Sequence, residues 1–190
     1  MNPATMLTAS RLLWAPLFTI AFLLGWGENL SAQWIWISVI FLLLIELSDA
    51  FDGIVARSRQ EVTDFGKIFD PVCDSLSRQT IFLTFMVAGI IPWWIFIMFL
   101  YRDSLMMFLR VMSAVDGTVI AARKSGKIKV ILQAVTSFLV VGIVLSHAYN
   151  FPFIPRSIGG QHPGFWLVLT VAIFTVLSAF DYFIPAWSVF

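Results

Sequence analysis

Four aspartates lie within one short stretch of an otherwise apolar chain: Asp49, Asp52, Asp70 and Asp74. The members of each pair are three or four residues apart, so each pair shares one face of a helix. Converging carboxylates repel one another unless cations lie among them, and oxygen-only ligation suits Mg²⁺ or Mn²⁺. Two such ions can bridge a diphosphate and stabilise both oxygens of a phosphoryl transfer. The spacing is therefore compatible with metal-dependent phosphoryl chemistry, and equally with helix capping, ion pairs to Arg57 or Arg78, or the cation pathway of a transporter.

The rest of the chain has the composition of a membrane protein. Of 190 residues, 59% are hydrophobic and only 12% are charged, which is unlike a soluble domain. The apolar runs approach the ~20 residues that a helix needs to cross a bilayer. We predict an all-α, polytopic membrane protein, a single domain over residues 1–190, with about six transmembrane helices at 12–26, 34–51, 68–90, 93–120, 130–149 and 165–184.

Basic residues predict which side of the membrane the aspartates face. Three lie between the second and third predicted helices and four between the fourth and fifth: Arg57, Arg59 and Lys67, then Arg123, Lys124, Lys127 and Lys129. Loops rich in Lys and Arg remain cytoplasmic. We therefore predict a multi-pass protein of the cell (inner, cytoplasmic) membrane, with its polar site facing the cytoplasm. The net charge of only +1 gives no basic field for nucleic acid.

The residues around the aspartates carry a more specific pattern. Residues 49–74 read DAFDGIVARSRQEVTDFGKIFDPVCD and fit D-x2-D-G-x2-A-R-x8-G-x3-D-x3-D at every fixed position. This segment resembles the signature of the CDP-alcohol phosphotransferase family. A cation-coupled transporter, the alternative from another functional class, does not require the glycines, alanine and arginine at this spacing.

The resemblance implies a role for each matched position. Asp49, Asp52 and Asp70 correspond to ligands of two divalent ions, Mg²⁺ or Mn²⁺, and Asp74 to a metal ligand that is also the catalytic general base. The positions implied to hold the CDP moiety are Asp52, Gly53, Ala56, Arg57, Gly66 and, near the N-terminus, Thr5. In this family an acceptor hydroxyl attacks the β-phosphorus of a CDP-linked lipid and CMP is released.

Two further segments resemble the phosphatidylglycerophosphate synthase branch of the family. The first contains Thr5, Thr8 and Arg11; the second contains Arg102, Asp103, Arg110, Gly126, Lys127, Lys129 and Gln133. This resemblance implies CDP-diacylglycerol as donor and glycerol 3-phosphate as acceptor, in phospholipid synthesis. Arg102, Arg110, Lys127 and Lys129 would bind the acceptor's phosphate, since buried arginines need an anion to offset their desolvation.

Some features leave the acceptor open. Cys73 and Ser75 replace an alanine and a lysine that are common in that branch. Inositol phosphate, phosphatidylglycerol, serine and choline therefore remain alternative acceptors with the same chemistry. Arg102 also has a plainer interpretation as an interfacial pair with Asp103, and the two lysines as the topological signal alone. Family resemblance further suggests a homodimer among membrane lipids.

Overall fold

The computed structural model of this chain describes residues 3–27, 30–59, 64–115, 124–151 and 154–186. Side chains in these ranges are described except at 3–5, 50, 52–59, 64–68, 110–111, 113–115, 124–125 and 180–186. The described residues form six α-helices and no strand: α1 (Pro3–Gly25), α2 (Ala32–Arg59), α3 (Asp64–Val87), α4 (Trp93–Val115), α5 (Lys124–Ala148) and α6 (Pro163–Ala186). The predicted all-α architecture is confirmed.

The helices differ in how apolar they are. Three segments are long and apolar enough to cross a membrane, Met6–Gly25, Ala32–Asp49 and Gly126–Ala148, and Pro163–Ala179 is a shorter apolar helix. With 24 and 23 residues, α3 and α4 are also long enough to span. Charged side chains interrupt both, and these include predicted site residues. The protein is thus a helical membrane protein in which two helices carry much of the polar chemistry.

Aromatic side chains fill the centre of the bundle. Phe18 and Phe22 of α1 meet Phe85 of α3 edge to face, with ring centroids 6.3 and 5.6 Å apart. Phe82 of α3 stacks on Phe99 of α4 at 4.2 Å. All five rings are at most 2% exposed, and such pairs add about 0.5–1.5 kcal/mol each beyond their area of burial. This core packs both α1 and α4 against α3.

Several helices extend further at one end than the apolar runs predicted. The α1 helix begins at Pro3 rather than at residue 12, α2 continues to Arg59, and α5 begins at Lys124. We assigned seven basic residues to cytoplasmic loops, and those in the described part of the chain lie in helices instead: Arg57, Arg59, Lys67, Lys124, Lys127 and Lys129. Lys and Arg are strong helix formers, so a helix that leaves the apolar layer does not have to end there. Arg123 lies outside the described residues.

The α1–α2 connection depends on a close approach at Gly25. Its carbonyl accepts a hydrogen bond from Ser31 N at 3.1 Å. A Cβ at this position would lie 2.7 Å from Ile35 Cδ1 and 3.0 Å from the Ile35 backbone nitrogen. Ile35 is fully buried, so the added methyl has no space without a shift of α2.

We predict that Gly25→Ala destabilises the protein by about 1–3 kcal/mol, the usual result of overpacking. The matched control is Gly142→Ala on the exposed face of α5, where an added Cβ meets nothing within 4 Å. That change gains up to about 1 kcal/mol of helix propensity. Thermal unfolding of the purified protein in detergent measures both, and equal shifts for the two variants would contradict the assigned approach.

A histidine pair lies at the other end of the bundle from the aspartates, between the end of α5 and the start of α6. The His147 and His162 rings are 5.5 Å apart, and Trp26 lies edge-on to His162 at 5.7 Å. His162 Nδ1 accepts a hydrogen bond from Gly164 N at 3.1 Å, which fixes the neutral tautomer. Burial, with a smaller contribution from His147, lowers the pKa of His162 to about 4.

This lowered pKa predicts acid destabilisation. Between pH 6.5 and about 4 the unfolded chain takes up a proton at this histidine and the folded chain does not. The free energy of unfolding therefore decreases as the pH is lowered through this window. The variant His162→Asn, whose side-chain oxygen can still accept from Gly164 N, should have a shallower loss of melting temperature over that window. Parallel melting curves against pH for variant and wild type would show that His162 does not contribute.

Candidate active site

An arginine of α1 contacts two of the predicted aspartates. Helix α1 packs against both α2 and α3, which places Arg11 between their acidic faces. Arg11 Nη1 lies 2.7 Å from Asp49 Oδ1 and 3.7 Å from Asp74 Oδ1. Its side chain is almost completely buried, whereas the two carboxylates are about one-third exposed. One buried cation therefore joins the two aspartate-bearing helices.

A second arginine completes this ion network. Arg78 lies one helical turn after Asp74, and its Nε and Nη2 each lie 2.9 Å from Asp74 Oδ1. The same guanidinium reaches Asp49 Oδ2 at 3.4 Å and Glu46 Oε1 at 3.6 Å. The ion pair with Arg78, considered above as an alternative for the aspartates, is thus observed. It orients Asp74 through two N–H groups of a buried, planar side chain.

Asp70 is held from α1 by a neutral partner. Thr8 is fully buried and donates its hydroxyl to Asp70 Oδ1 at 3.0 Å. The same part of α1 is tied to α2, because Ser48 Oγ donates to the Leu7 carbonyl at 2.9 Å. The first turns of α1 are therefore structural supports for aspartates on both neighbouring helices.

The charge balance at this end of the helices favours cations. Among the described side chains, the carboxylates Glu46, Asp49, Asp70 and Asp74 outnumber the guanidiniums of Arg11 and Arg78 by two. Their oxygens are the donors that Mg²⁺ and Mn²⁺ prefer. As arranged, no three described His, Cys, Asp or Glu side chains are grouped closely enough to hold an ion. The donor chemistry and the excess negative charge fit divalent ions, while arginines now lie among the carboxylates.

A small cleft opens beside Asp74, toward α4 and α5. Its volume is about 40 Å³, and its polar walls are Asp74, Ser75, Arg78, Arg102, Asp103 and Lys129. Asp103 Oδ1 lies 3.1 Å from Arg102 Nη1 and 2.5 Å from Lys129 Nζ. Ser178 of α6 accepts from Arg102 Nη2 at 3.0 Å. Three buried cations and two carboxylates, of which Asp74 is suited to proton transfer, therefore face one space.

Several predicted site residues are brought together and others are not. Asp49 and Asp74 converge on the two arginines, Asp70 is bonded to Thr8, and Arg102 and Lys129 share the cleft. Lys127 is exposed on α5 and is not among the residues that line the cleft. The remaining predicted side chains lie outside the described part of the structure, so their roles stay predictions: Thr5, Asp52, Gly53, Ala56, Arg57, Gly66 and Arg110.

The structure adds polar residues that received no site role from the sequence. Glu46 lies one turn before Asp49 and Arg78 one turn after Asp74, so the helical period could have indicated both. No sequence signal pointed to Ser178, which belongs to the apolar last helix. Gln133, one turn after Lys129, is 1% exposed, and neither atom of its amide has a partner among the described residues. Buried amides are usually paired, so Gln133 is an unusual buried polar group of α5.

Comparison with known proteins agrees with this geometry. The family model for CDP-alcohol phosphatidyltransferase matches residues 1–177. A probable phosphatidylglycerophosphate synthase of Mycobacterium tuberculosis is 30% identical over 95% of this chain and 79% of its own length. A CDP-diacylglycerol–glycerol-3-phosphate 3-phosphatidyltransferase of Bacillus subtilis is 29% identical over 98% and 96%. The Treponema pallidum protein of that name is 37% identical, but over only 48% of this chain and 43% of its own. The chain belongs to the CDP-alcohol phosphatidyltransferase family.

Proposed function

We propose that this protein transfers the phosphatidyl group of CDP-diacylglycerol to glycerol 3-phosphate, giving phosphatidylglycerophosphate and CMP. The observation that carries the proposal is the cleft in which Arg102 and Lys129 face Asp74. Two buried cations suit an acceptor with a phosphate group, and the nearby carboxylate suits one with a hydroxyl group. The names of the relatives that match nearly the whole chain support the same donor and acceptor.

The chain's own residues supply positioning and proton transfer. The acceptor hydroxyl oxygen forms a bond to the β-phosphorus of the donor, and the bond from that phosphorus to the CMP oxygen breaks. The hydroxyl proton passes to Asp74, whose orientation is set by Arg78. CMP carries away the electron pair of the broken bond. Phosphoryl transfer demands mainly alignment and charge stabilisation, which a rigid ion network between α1, α2 and α3 provides.

We propose that Asp49, Asp52, Asp70 and Asp74 hold two divalent ions, Mg²⁺ or Mn²⁺. Bound there, the ions would neutralise the diphosphate and the charge that develops on the leaving group. In the structure Arg11 lies between Asp49 and Asp74 and offsets part of their charge. The CDP moiety is assigned to Thr5, Asp52, Gly53, Ala56, Arg57 and Gly66 on the basis of the signature.

The membrane setting fits the two substrates. The donor is a lipid that arrives from the bilayer, whereas a phosphorylated alcohol arrives from water. We place the site at the cytoplasmic face of the cell membrane. Basic residues gather at the C-terminal end of α2 and in the first turns of α3 and α5, and such residues are enriched on the cytoplasmic side. A homodimer and a single domain over residues 1–190 remain part of the proposal on the strength of the family resemblance.

The acceptor is tested with purified protein, CDP-diacylglycerol and a panel of alcohols. We expect CMP release and phosphatidylglycerophosphate formation with glycerol 3-phosphate, in Mg²⁺ or Mn²⁺ and not in excess chelator. Inositol phosphate, phosphatidylglycerol, serine and choline should each give at least about tenfold lower kcat/KM, equivalent to about 1.4 kcal/mol of discrimination. If any of these alcohols gives product faster than glycerol 3-phosphate does, that alcohol is the acceptor and the assignment of glycerol 3-phosphate is wrong.

The base is tested by Asp74→Asn. The amide cannot accept the hydroxyl proton, so we expect kcat to fall by about 10²–10⁴, while binding of the CDP-lipid changes little. Thr80→Val is the matched control and should retain activity: Thr80 lies on the same helix, and among the described residues its hydroxyl donates to the Leu76 carbonyl of that helix. Near-normal turnover of Asp74→Asn in single-turnover assays would exclude Asp74 as the base.

A further inference from the structure

Asp103 stands between the two cations that are assigned to the acceptor. Arg102, Asp103 and Lys129 are 8%, 6% and 5% exposed, so all three charges are largely removed from solvent. One oxygen of Asp103 accepts from both cations, at 3.1 Å from Arg102 and 2.5 Å from Lys129. These contacts form the Asp103 triad, made of Arg102, Asp103 and Lys129.

The triad is short of negative charge. Two cations share one carboxylate, and a buried charge without a counter-ion is strongly destabilising. Arg102 Nε is buried and has no hydrogen-bond partner among the described residues. The guanidinium therefore keeps a donor that Asp103 does not use. These features are those of an anion site that is incompletely filled by the protein's own carboxylate.

The space at the triad is small and is shared with the Asp103 carboxylate. A cleft of about 40 Å³ holds only a few water-sized molecules, since each needs at least about 10–15 Å³ by the same measure. A phosphate that contacts both Arg102 and Lys129 therefore competes with the Asp103 carboxylate for the same N–H donors. Ser178 holds Arg102 from the side of α6 at 3.0 Å, so this cation stays in position when the carboxylate moves.

We propose that Asp103 is an internal counter-anion that occupies the acceptor-phosphate position and is displaced when a phosphorylated acceptor binds. This inference rests on the proposed function of the cleft. Asp103 then acts as a specificity-determining residue rather than a catalytic one. An alcohol without a phosphate cannot replace the carboxylate between two cations, because displacement would leave those cations buried and unpaired. A phosphate restores the charge balance and gains charge-assisted hydrogen bonds.

The experiment compares wild type, Asp103→Asn and Asp103→Glu by thermal unfolding in detergent, without turnover. Each protein is titrated with inorganic phosphate, glycerol 3-phosphate and CDP against chloride of equal ionic strength. We expect Asp103→Asn to be less stable than wild type in chloride and to bind phosphate and glycerol 3-phosphate about tenfold more tightly. Asp103→Glu, which keeps the competing charge, should respond as wild type does.

Kinetics provide a second measurement. We expect Asp103→Asn to lower KM for glycerol 3-phosphate about tenfold and to leave KM for CDP-diacylglycerol unchanged. If Asp103 had a purely structural role, the substitution would raise KM for both substrates or lower kcat alone. If Asp103→Asn is unfolded in chloride, the proposal requires phosphate buffer to restore folded protein, and failure in both buffers overturns it.

Other outcomes are equally decisive. Equal phosphate responses in wild type and Asp103→Asn, or weaker acceptor binding by the variant, would overturn the counter-anion role. A differential response to CDP alone would assign the triad to the donor diphosphate and also overturn it. The outcomes separate this inference from the proposed function: a differential phosphate response together with preference for a different phosphorylated alcohol supports the inference alone. Turnover of glycerol 3-phosphate without a differential response supports the function alone.

Discussion

Arg11 and Arg78 lie among carboxylates that would otherwise repel one another inside an apolar bundle. Their guanidiniums contact Asp49 and Asp74 at 2.7–3.7 Å and connect α1, α2 and α3 at one end. Removing one member of such a buried network leaves an uncompensated charge, at a typical cost of about 3–5 kcal/mol. The packing of α1 against two acidic helices follows from this constraint, as does the burial of Thr8 and Arg11 near the start of the chain.

The same ion network connects the cluster of aspartates to the neighbouring cleft, and the two regions differ in charge. Arg78 faces both regions: it binds Asp74, and with Arg102 and Lys129 it lines the cleft. On one side, carboxylates exceed guanidiniums; on the other, cations exceed carboxylates. This polarity suits a reaction in which the donor's diphosphate is neutralised by cations held on aspartates and the acceptor's phosphate is held by basic side chains. Asp74 lies at the boundary, where a proton must move.

Much of this arrangement could be predicted from the sequence, because composition and spacing carry it directly. Apolar runs predicted six helices, and the signature around Asp49 and Asp74 predicted the family, which the family model confirms. The helix ends were predicted less well, since Arg57 and Lys129 continue helices that hydropathy alone would end. Contacts between distant segments, such as Ser178 with Arg102 across α4 and α6, have no local pattern and require the tertiary structure.

The role of the arginines also lay beyond sequence reasoning, for a physical reason. A carboxylate's partner in a membrane bundle can be an ion, an arginine of the same helix or an arginine of another helix. Sequence spacing can identify only the arginine of the same helix. Arg78 follows Asp74 by one turn and was identifiable as a partner. Arg11 reaches Asp49 from a different helix, and only the packing of α1 shows it.

The central claim is that these residues direct attack at the β-phosphorus of a CDP-linked lipid. The most direct measurement uses CDP-diacylglycerol labelled with ³²P at that phosphorus, purified protein, Mg²⁺ and glycerol 3-phosphate. We predict that the label appears in phosphatidylglycerophosphate and that the CMP formed is unlabelled. Label recovered in phosphatidic acid, which attack at the other phosphorus would give, or in a water-soluble nucleotide would show that a different bond is broken and would contradict the account.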